Sequence, residues 1–567
     1  MKKYLLVLVS LCCALLPALA EHPEYPELRK SDANIIGHIL DKKTNEHLPY
    51  ITVALKGTTI GTVTDATGHY FLKNLPEGNF VLEISSVGYK TISRNVTLKK
   101  GKTLEENFEI EEDAIALDGV VVSANRSETT RRLAPTLVNV VDLKLFETTN
   151  SSTLSQGLNF QPGVRVETNC QNCGFQQVRI NGLDGPYTQI LIDSRPVFSA
   201  LSGVYGLEQI PASMIERVEV MRGGGSALFG SSAIAGTINI ITKEPLRNSG
   251  RLSHTITSIG GSSSFDNNTS LNASLVTDDH RAGLYIFGQN RHRSGYDYDG
   301  DGFTELPKLK NQTVGFRSYL KTSTYSKLTF EYHHMQEFRR GGDMLNRPPH
   351  EAHIAEQLQH SIDGGSLKYD YFSPDEKNRL SVFASAANTD RDSYYGPGND
   401  PLKAYGKTTD LTAMGGAQYV HSFDKLLFMP SDLTAGLEYN RDRLKDNMWG
   451  YDRHTDQTVN IYSAFLQNEW KNKHWGILIG GRLDKHNMVD DIIFSPRANL
   501  RFNPTDNINL RLSYSSGFRA PQAFDEDMHI ENVGGTVAMI ERAKDLKEEK
   551  SQSFSMSADM YHRFGAF

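Results

Sequence analysis

Residues 210–245 read IPASMIERVEVMRGGGSALFGSSAIAGTINIITKEP. The centre of this stretch is so rich in Gly, Ser and Ala that no amphipathic helix can be built from it. Both ends, IERVEVM and GTINIITK, read as short β-branched strands bounded by turn residues. Gly223, Gly224, Gly225, Gly230 and Gly236 let the backbone turn sharply and lie close against a neighbouring wall. The competing reading is an ordinary glycine-rich linker. A phosphate loop is disfavoured, because the segment lacks a G-K-[ST] ending and does not follow the dinucleotide fingerprint.

The sequence upstream decides between them. LSQGLNFQPGVRVE (154–167) and VRINGLDGPYTQILIDSRPV (178–197) precede the glycine-rich stretch. In this order the three segments resemble the plug domain of TonB-dependent outer-membrane receptors, and the resemblance covers residues 125–245. It implies a mixed α/β globule in which VRING and QILIDS pair while helices such as Ser152–Asn159 and Pro211–Ile215 cover a face. Immediately before it, residues 113–124 contain Asp118-Gly119-Val120-Val121-Val122-Ser123-Ala124. A short valine run flanked by acidic and small residues can add as a strand to a partner's exposed sheet edge. It resembles a TonB box, which assigns TonB binding to Asp118, Val120, Val121, Val122 and Ser123. The alternative is one more strand of the preceding module.

That module, residues 34–112, shows about seven short alternating strands separated by turns, the pattern of a small β-sandwich. It resembles the carboxypeptidase-regulatory-like domain attached to such receptors in Bacteroidetes-type bacteria. Asp65, Gly68 and Tyr70 stand in turn-and-strand contexts with no paired nucleophile and base, so a structural or periplasmic interaction role is expected and no catalytic residue is assigned. Residues 21–33 read as a linker. Before them, Lys2 and Lys3, the apolar run Tyr4–Leu16 and Ala18-Leu19-Ala20 form a secretory signal peptide over residues 1–20. Cys12 and Cys13 would be removed with it.

Composition narrows the class. The chain has 567 residues, a formal net charge of −7 and 38% hydrophobic residues, with no basic domain that would point to nucleic acid. No further apolar run is long enough to span a bilayer as a helix, so a membrane role needs a β-barrel or a peripheral attachment. From about residue 246 to 567 the sequence supplies strands of about ten residues with alternating side chains, such as AGLYIFGQNR, KLTFEYHHMQ, WGILIGGRLD and NINLRLSYSS. Short connections (TDDHR, TSTYS, SPDEKN, NPTDN) alternate with longer charged ones. This is the pattern of an antiparallel transmembrane β-barrel in the bacterial outer membrane, with short periplasmic turns and long outer loops.

The expected fold is therefore mainly β: a sandwich, a plug and a barrel with about 14 strands present, where the resemblance implies about 22. The segment Gly517–Asp527, GFRAPQAFDED, resembles the FRAP element that such receptors carry well before their ends. The barrel is thus expected to be incomplete; the aromatic Phe567 keeps a smaller barrel as the alternative.

Four clusters carry ligand chemistry. Asn169-Cys170-Gln171-Asn172-Cys173-Gly174 lies between two plug strands; the envelope location favours a short-range Cys170–Cys173 disulfide, and the alternative is a soft-metal site that needs further ligands. Asp297, Asp299, Asp301 and Glu305 alternate around glycines as calcium ligands do, although Lys308 stands where a full EF-hand loop has Glu; the alternative is a solvated acidic outer loop. His333, His334, Met335, His350, His353 and His360 flank a long loop, with His350 and His353 as candidate ligand-binding residues for haem iron or copper; the alternative is a set of independent loop and strand histidines. Arg519, in Phe518-Arg519-Ala520-Pro521, is a candidate for anionic ligand groups; the element resembles that of haem receptors but lacks the asparagine-proline-leucine partner.

The resemblance implies a non-enzymatic importer. Its partners would be TonB with the inner-membrane energising complex, outer-membrane lipid, a surface lipoprotein, and a metal-chelate, haem or cobalamin ligand; it would require no cofactor, with calcium a candidate occupant of an outer loop. A copper or zinc importer using the cysteine pair, or a signal-transducing receptor, are the alternatives.

Overall fold

The computed structural model describes residues 31–560, apart from positions 66, 87, 88, 112–119, 127, 128, 171, 197–205, 398–403, 506, 534, 535 and 544. The expected signal peptide, most of the 21–33 linker, Asp118 and Phe567 lie outside the described residues.

Eight strands build the N-terminal sandwich: β1 Ala33–Asp41, β2 Thr52–Leu55, β3 Gly61–Val63, β4 His69–Leu75, β5 Gly78–Ser85, β6 Ile92–Leu98, β7 Thr103–Glu105 and β8 Phe108–Ile110. One sheet runs β4-β1-β7 with β8 continuing on the same strand β1, and the other runs β3-β2-β5-β6. Alternation buries every second residue, so Ile35, Ile39, Val53, Leu55, Leu72, Leu82 and Ile84 meet between the sheets.

β9 (Val120–Val121) pairs antiparallel with β10 (Thr129–Thr130). The plug then places β11 Val138–Asp142, β14 Thr188–Ile192, β15 Ile215–Arg222 and β16 Gly236–Thr242 in one sheet, ordered β11-β15-β16-β14, with a separate hairpin of β12 Val164–Cys170 and β13 Phe175–Ile180. Short helices Leu143–Thr148 and Leu154–Leu158 cover the core, the first capped by the Asp142 side chain accepting from the Leu145 amide. The expected pairing of VRING with QILIDS is corrected here. Val178–Ile180 pairs with Val164–Val166, whereas Gln189–Ile192 lies parallel to Thr237–Ile240. Two causes are visible. A tight turn ending at Gly174, at φ 69°, closes the β12–β13 hairpin locally. β16 is almost wholly buried, so its backbone needs a partner on each edge; β15 takes one and β14 the other. The expected helix at Pro211–Ile215 is one 3₁₀ turn, Ala212–Met214.

The remaining chain forms a fourteen-stranded antiparallel sheet. Its strands are β17 Ser249–Ser258, β18 Phe265–Val276, β19 Ala282–Arg293, β20 Lys308–Ser323, β21 Ser326–Gly342, β22 Ile354–Phe372, β23 Asn378–Pro397, β24 Tyr405–Leu426, β25 Met429–Met448, β26 Arg453–Lys471, β27 Trp475–His486, β28 Ile493–Thr505 and β29 Ile508–Arg519. A small ribbon, β30 Glu531–Val533 with β31 Thr536–Ala538, intervenes before β32 Glu549–Met560, which pairs with β29. Among the described residues, β17 and β32 are the sheet's edges.

The two faces differ in kind. Along β29, Leu510 and Leu512 are exposed while Asn509 and Arg511 are buried; along β27, Ile479 and Leu483 face out while Arg482 and Asp484 face in. An apolar outer face with a polar inner one is the inverse of a soluble protein and suits lipid outside and a plug inside. Tight turns such as 324–325, 427–428 and 472–474 mark one rim, and the longer connections 294–307, 343–353 and 520–548 mark the other. The sandwich sits at the tight-turn rim: the Thr59 amide donates to the Thr324 carbonyl at 3.0 Å, and the Arg247 guanidinium lies 3.8 Å above the Tyr50 ring.

Candidate functional site

Plug and wall meet along seams, and the glycine-rich stretch forms one of them. A methyl group on Gly224 would lie 2.5 Å from Ser515 Oγ on β29, and one on Gly223 would lie 3.2 Å from Ser555 Oγ on β32. The Ser232 amide donates to the Phe518 carbonyl at 3.0 Å, and Arg482 on β27 donates to the Leu228 carbonyl at 3.2 Å. Small side chains here are what allow backbone to approach wall.

The valine segment is docked beneath this sheet. Val121 and Ser123 are fully buried. Oε2 of Glu219, on the central strand β15, accepts from the Val122 amide (2.9 Å), the Ser123 amide (2.9 Å) and the Ser123 hydroxyl (2.7 Å). Its other oxygen pairs with Arg217 Nε at 2.9 Å. Asn239 on β16 donates to Ser123 Oγ at 2.9 Å. The next residues fasten to the barrel: Asn125 to Glu469 at 2.7 Å, and Arg126 to Glu438 at 2.6 Å.

Charged clusters complete the seam, and none was assigned from the sequence. Glu208, on the plug helix Gly206–Gln209, contacts Arg339 at 2.8 Å, Arg293 at 3.2 Å and Arg291 at 3.4 Å. Burial alone would raise its carboxyl; the three guanidinium groups outweigh that and hold it well below the usual carboxylate range. Asp193 meets Arg317 of β20 at 2.6 Å, and Arg317 also contacts Glu331 of β21. The signal available was arginine at inward-facing strand positions, such as 291 and 293.

The sequence-assigned ligand residues fall into separate places. His350 Nδ1 lies 2.9 Å from the Tyr405 hydroxyl, and His353 Nδ1 lies 2.6 Å from Asp343 Oδ2 with most of its ring exposed. Arg519 stacks 4.1 Å over Phe524 and lies 3.6 Å from Glu549. In the 294–307 loop, carboxylate oxygens of Asp297, Asp299 and Glu305 lie within 4.8 Å of one another, while Asp301 stands outside that group and accepts from the Phe303 amide at 2.8 Å.

Cys170 and Cys173 are both thiols, not joined in the expected disulfide. The hairpin turn carries them to the long-loop rim, where two residues missed in the sequence join them: Glu356, near the start of β22, and His529, in the 520–548 connection. Cys170 Sγ lies 3.1 Å from Glu356 Oε2; His529 Nε2 lies 3.4 Å from Cys173 Sγ and 3.4 Å from Glu356 Oε2. Hydrogen bonding with Cys173, opposed by burial and reinforced by His529, pulls the Cys170 thiol down to about 7. Burial disfavours a charged His529, but Cys170 and Glu356 outweigh it and push the imidazole up to about 10.

A cavity of about 180 Å³ lies between plug and wall, lined in part by Gln177, Gln189, Glu438, Asp442, Arg482 and Gln522. A sheet that is apolar outside and charged inside, filled by an ion-paired α/β plug, defines a plugged outer-membrane β-barrel protein. Family models agree: a TonB dependent receptor-like beta-barrel matches residues 235–567, a TonB-dependent receptor plug domain residues 130–237, and a CarboxypepD_reg-like domain residues 35–122. The chain belongs to the TonB-dependent receptor family, whose place is the outer membrane.

Among curated proteins, it is 25% identical over 424 residues to the vitamin B12 transporter BtuB of Vibrio vulnificus strain CMCP6, covering 72% of this chain and 64% of that protein. The chain thus spans under two thirds of that relative's length. Among solved structures, the siderophore receptor PirA of Acinetobacter baumannii superposes with a TM-score of 0.64 at 19% identity, over 76% of this chain and 69% of that one. A mutant of the ferric enterobactin receptor PfeA of Pseudomonas aeruginosa gives 0.61 at 18%, over 76% and 70%. At these identities the structural likeness speaks to fold.

Proposed function

We propose that the protein imports a scarce, large ligand of the iron-chelate, haem or cobalamin kind by active transport coupled to TonB. The observation that carries this reading is the docked valine segment: Val120–Ser123 lies on the tight-turn side of the plug, tied to its central strand through Glu219. A segment held this way can be freed when ligand shifts the plug, and TonB would pair with it as an added strand. The outer membrane holds no gradient of its own; a charge gains about 2.3 kcal/mol per 100 mV only where a potential exists, so the work must arrive mechanically from the inner membrane. Asp118 would extend the pairing edge. The names of the relatives, a cobalamin transporter and siderophore receptors, support the ligand class.

Ligand would meet the long-loop rim, where His350, His353 and Arg519 stand with the 294–307 loop. That loop supports calcium through Asp297, Asp299 and Glu305, an ion that would stiffen it for capture. Deleting Val120–Val122 tests the reading: uptake of a radiolabelled ligand into cells should vanish while surface binding survives. Unchanged uptake sinks the TonB mechanism.

A further inference from the structure

We propose that Cys170, Cys173, Glu356 and His529 form a zinc(II) site that fastens the top of the plug to the barrel wall and to the connection after β29. Each residue offers one ligand atom, and all four atoms lie within 4.8 Å of one another. The three measured edges of this group are 3.1, 3.4 and 3.4 Å. A tetrahedral zinc with bonds of about 2.3 Å to sulfur and about 2.0–2.2 Å to nitrogen and oxygen has ligand–ligand edges of roughly 3.3–3.8 Å. These three edges lie within a few tenths of an ångström of that range, and the other three, all under 4.8 Å, can close on an ion by side-chain adjustment.

The donors are not a chance surface gathering. Cys173 and Glu356 are buried, and Leu358, Tyr395, Met448 and Ile530 pack around the cysteine pair. Each donor is also positioned from its own element. Arg339 donates to the Gly174 carbonyl at 3.2 Å and fixes the cysteine turn. β22 fixes Glu356, paired on both sides by β21 and β23. The His529 ring stands edge-on to Tyr395 with centroids 5.2 Å apart. Two thiolates exclude calcium and magnesium as preferred occupants, and the carboxylate favours zinc(II) over the softer copper(I). Four protein ligands with no open position make a closed, holding site. Because three chain segments contribute, the ion would resist lifting of the plug from the wall. Binding displaces the ligands' protons to solvent and involves no redox step.

The site lies at the rim opposite the Val120–Ser123 segment and does not involve it. Its test uses the full chain in detergent, purified under reducing conditions, stripped with chelator and titrated with zinc sulfate alone. Metal analysis should give one tightly held zinc per chain, and zinc X-ray absorption should show two sulfur and two nitrogen or oxygen neighbours. The double variant Cys170→Ser/Cys173→Ser should weaken binding at least 100-fold, and His529→Gln at least 10-fold. Cobalt(II) bound to the unaltered chain should show thiolate charge-transfer absorption, which requires no variant to fold. Zinc with no sulfur neighbour overturns the proposal, as does affinity unchanged in the double variant. So does a Cys170–Cys173 disulfide in protein isolated from the envelope, seen as a mass lower by two hydrogens. The Val120–Val122 deletion should bind zinc normally, so a failed transport mechanism and a failed metal site are told apart.

Discussion

Replacing Glu219 by Gln should free the valine segment while leaving the plug folded. One oxygen of this fully buried carboxylate accepts three hydrogen bonds, from the Val122 and Ser123 amides and the Ser123 hydroxyl, all at 2.7–2.9 Å. Bonds to a charged acceptor contribute about 1.5–3 kcal/mol each, and they are not additive. Gln keeps one carbonyl oxygen but no charge, so the docking should weaken by about 2–3 kcal/mol in total. Each 1.4 kcal/mol is a factor of ten, which places the opened population of the segment about 30- to 150-fold higher. Hydrogen–deuterium exchange of a peptide covering residues 120–126 reads this directly, against a peptide covering β16 as an internal control. Strengthened, ligand-independent capture of a soluble TonB domain should accompany it. If protection of 120–126 is unchanged while the variant retains its native melting temperature, Glu219 does not hold the segment and the reasoning fails.

The other seams make comparable predictions. Gly224→Val should destabilise the plug–barrel contact by about 1–3 kcal/mol, because its side chain would collide with Ser515 Oγ, and Ser515→Gly should recover part of the loss; thermal melting in detergent checks both. Glu208→Gln leaves three arginines facing a neutral group and should cost about 3–5 kcal/mol, read as earlier plug release in a protease-protection assay at neutral pH. The same carboxyl has its folded pKa lowered, so its contribution is complete above the unfolded value of about 4.3 and is lost as pH falls further. The unaltered chain should therefore lose plug protection on acidification with a steeper profile than Glu208→Gln. Millimolar calcium should slow proteolysis within 297–305, and Asp299→Asn should abolish that effect.

Much of the architecture was legible because it rests on periodicity and turn chemistry. Alternation of the kind in Asn509-Leu510-Arg511-Leu512 gives both the strand and its two environments, and fourteen strands follow from counting such runs. The glycine-rich stretch was read as small so that it could lie against the wall, and the 2.5 Å gap between a Gly224 methyl and Ser515 gives that its physical cause. Pairing within the plug was less legible. Local apolar runs such as QILI show that a strand exists but not which neighbour completes it, and the need of buried β16 for two partners is a property of the assembled sheet. The site was half visible for the same reason. The two cysteines announce themselves by spacing, whereas Glu356 is one carboxylate in a strand and His529 one imidazole in a long connection. Only folding brings positions 170, 356 and 529 together.

The seams differ in where force would reach them. A pull on Val120–Ser123 acts first on Glu219, then on the Asn125–Glu469 and Arg126–Glu438 contacts with the wall, and then on β11, which among the described residues is an edge strand paired with β15. An edge strand pulled from its end opens one hydrogen-bonded pair after another, so it yields more readily than a strand sheared along its whole length. β15, β16 and β14 lie farther from the pull and are held by Asp193–Arg317 and, through the adjacent helix, by Glu208 with its three arginines. The cysteine hairpin lies farthest, at the opposite rim. This ordering makes partial remodelling the expected first event: residues 120–142 leave the plug while its remaining sheet stays fastened. A disulfide engineered between β11 and β15, at the directly paired Val140 and Glu219 or Val141 and Val218, would test it. Val141→Cys/Val218→Cys leaves Glu219 in place and should block uptake when oxidised and restore it when reduced, with ligand binding unchanged in both states.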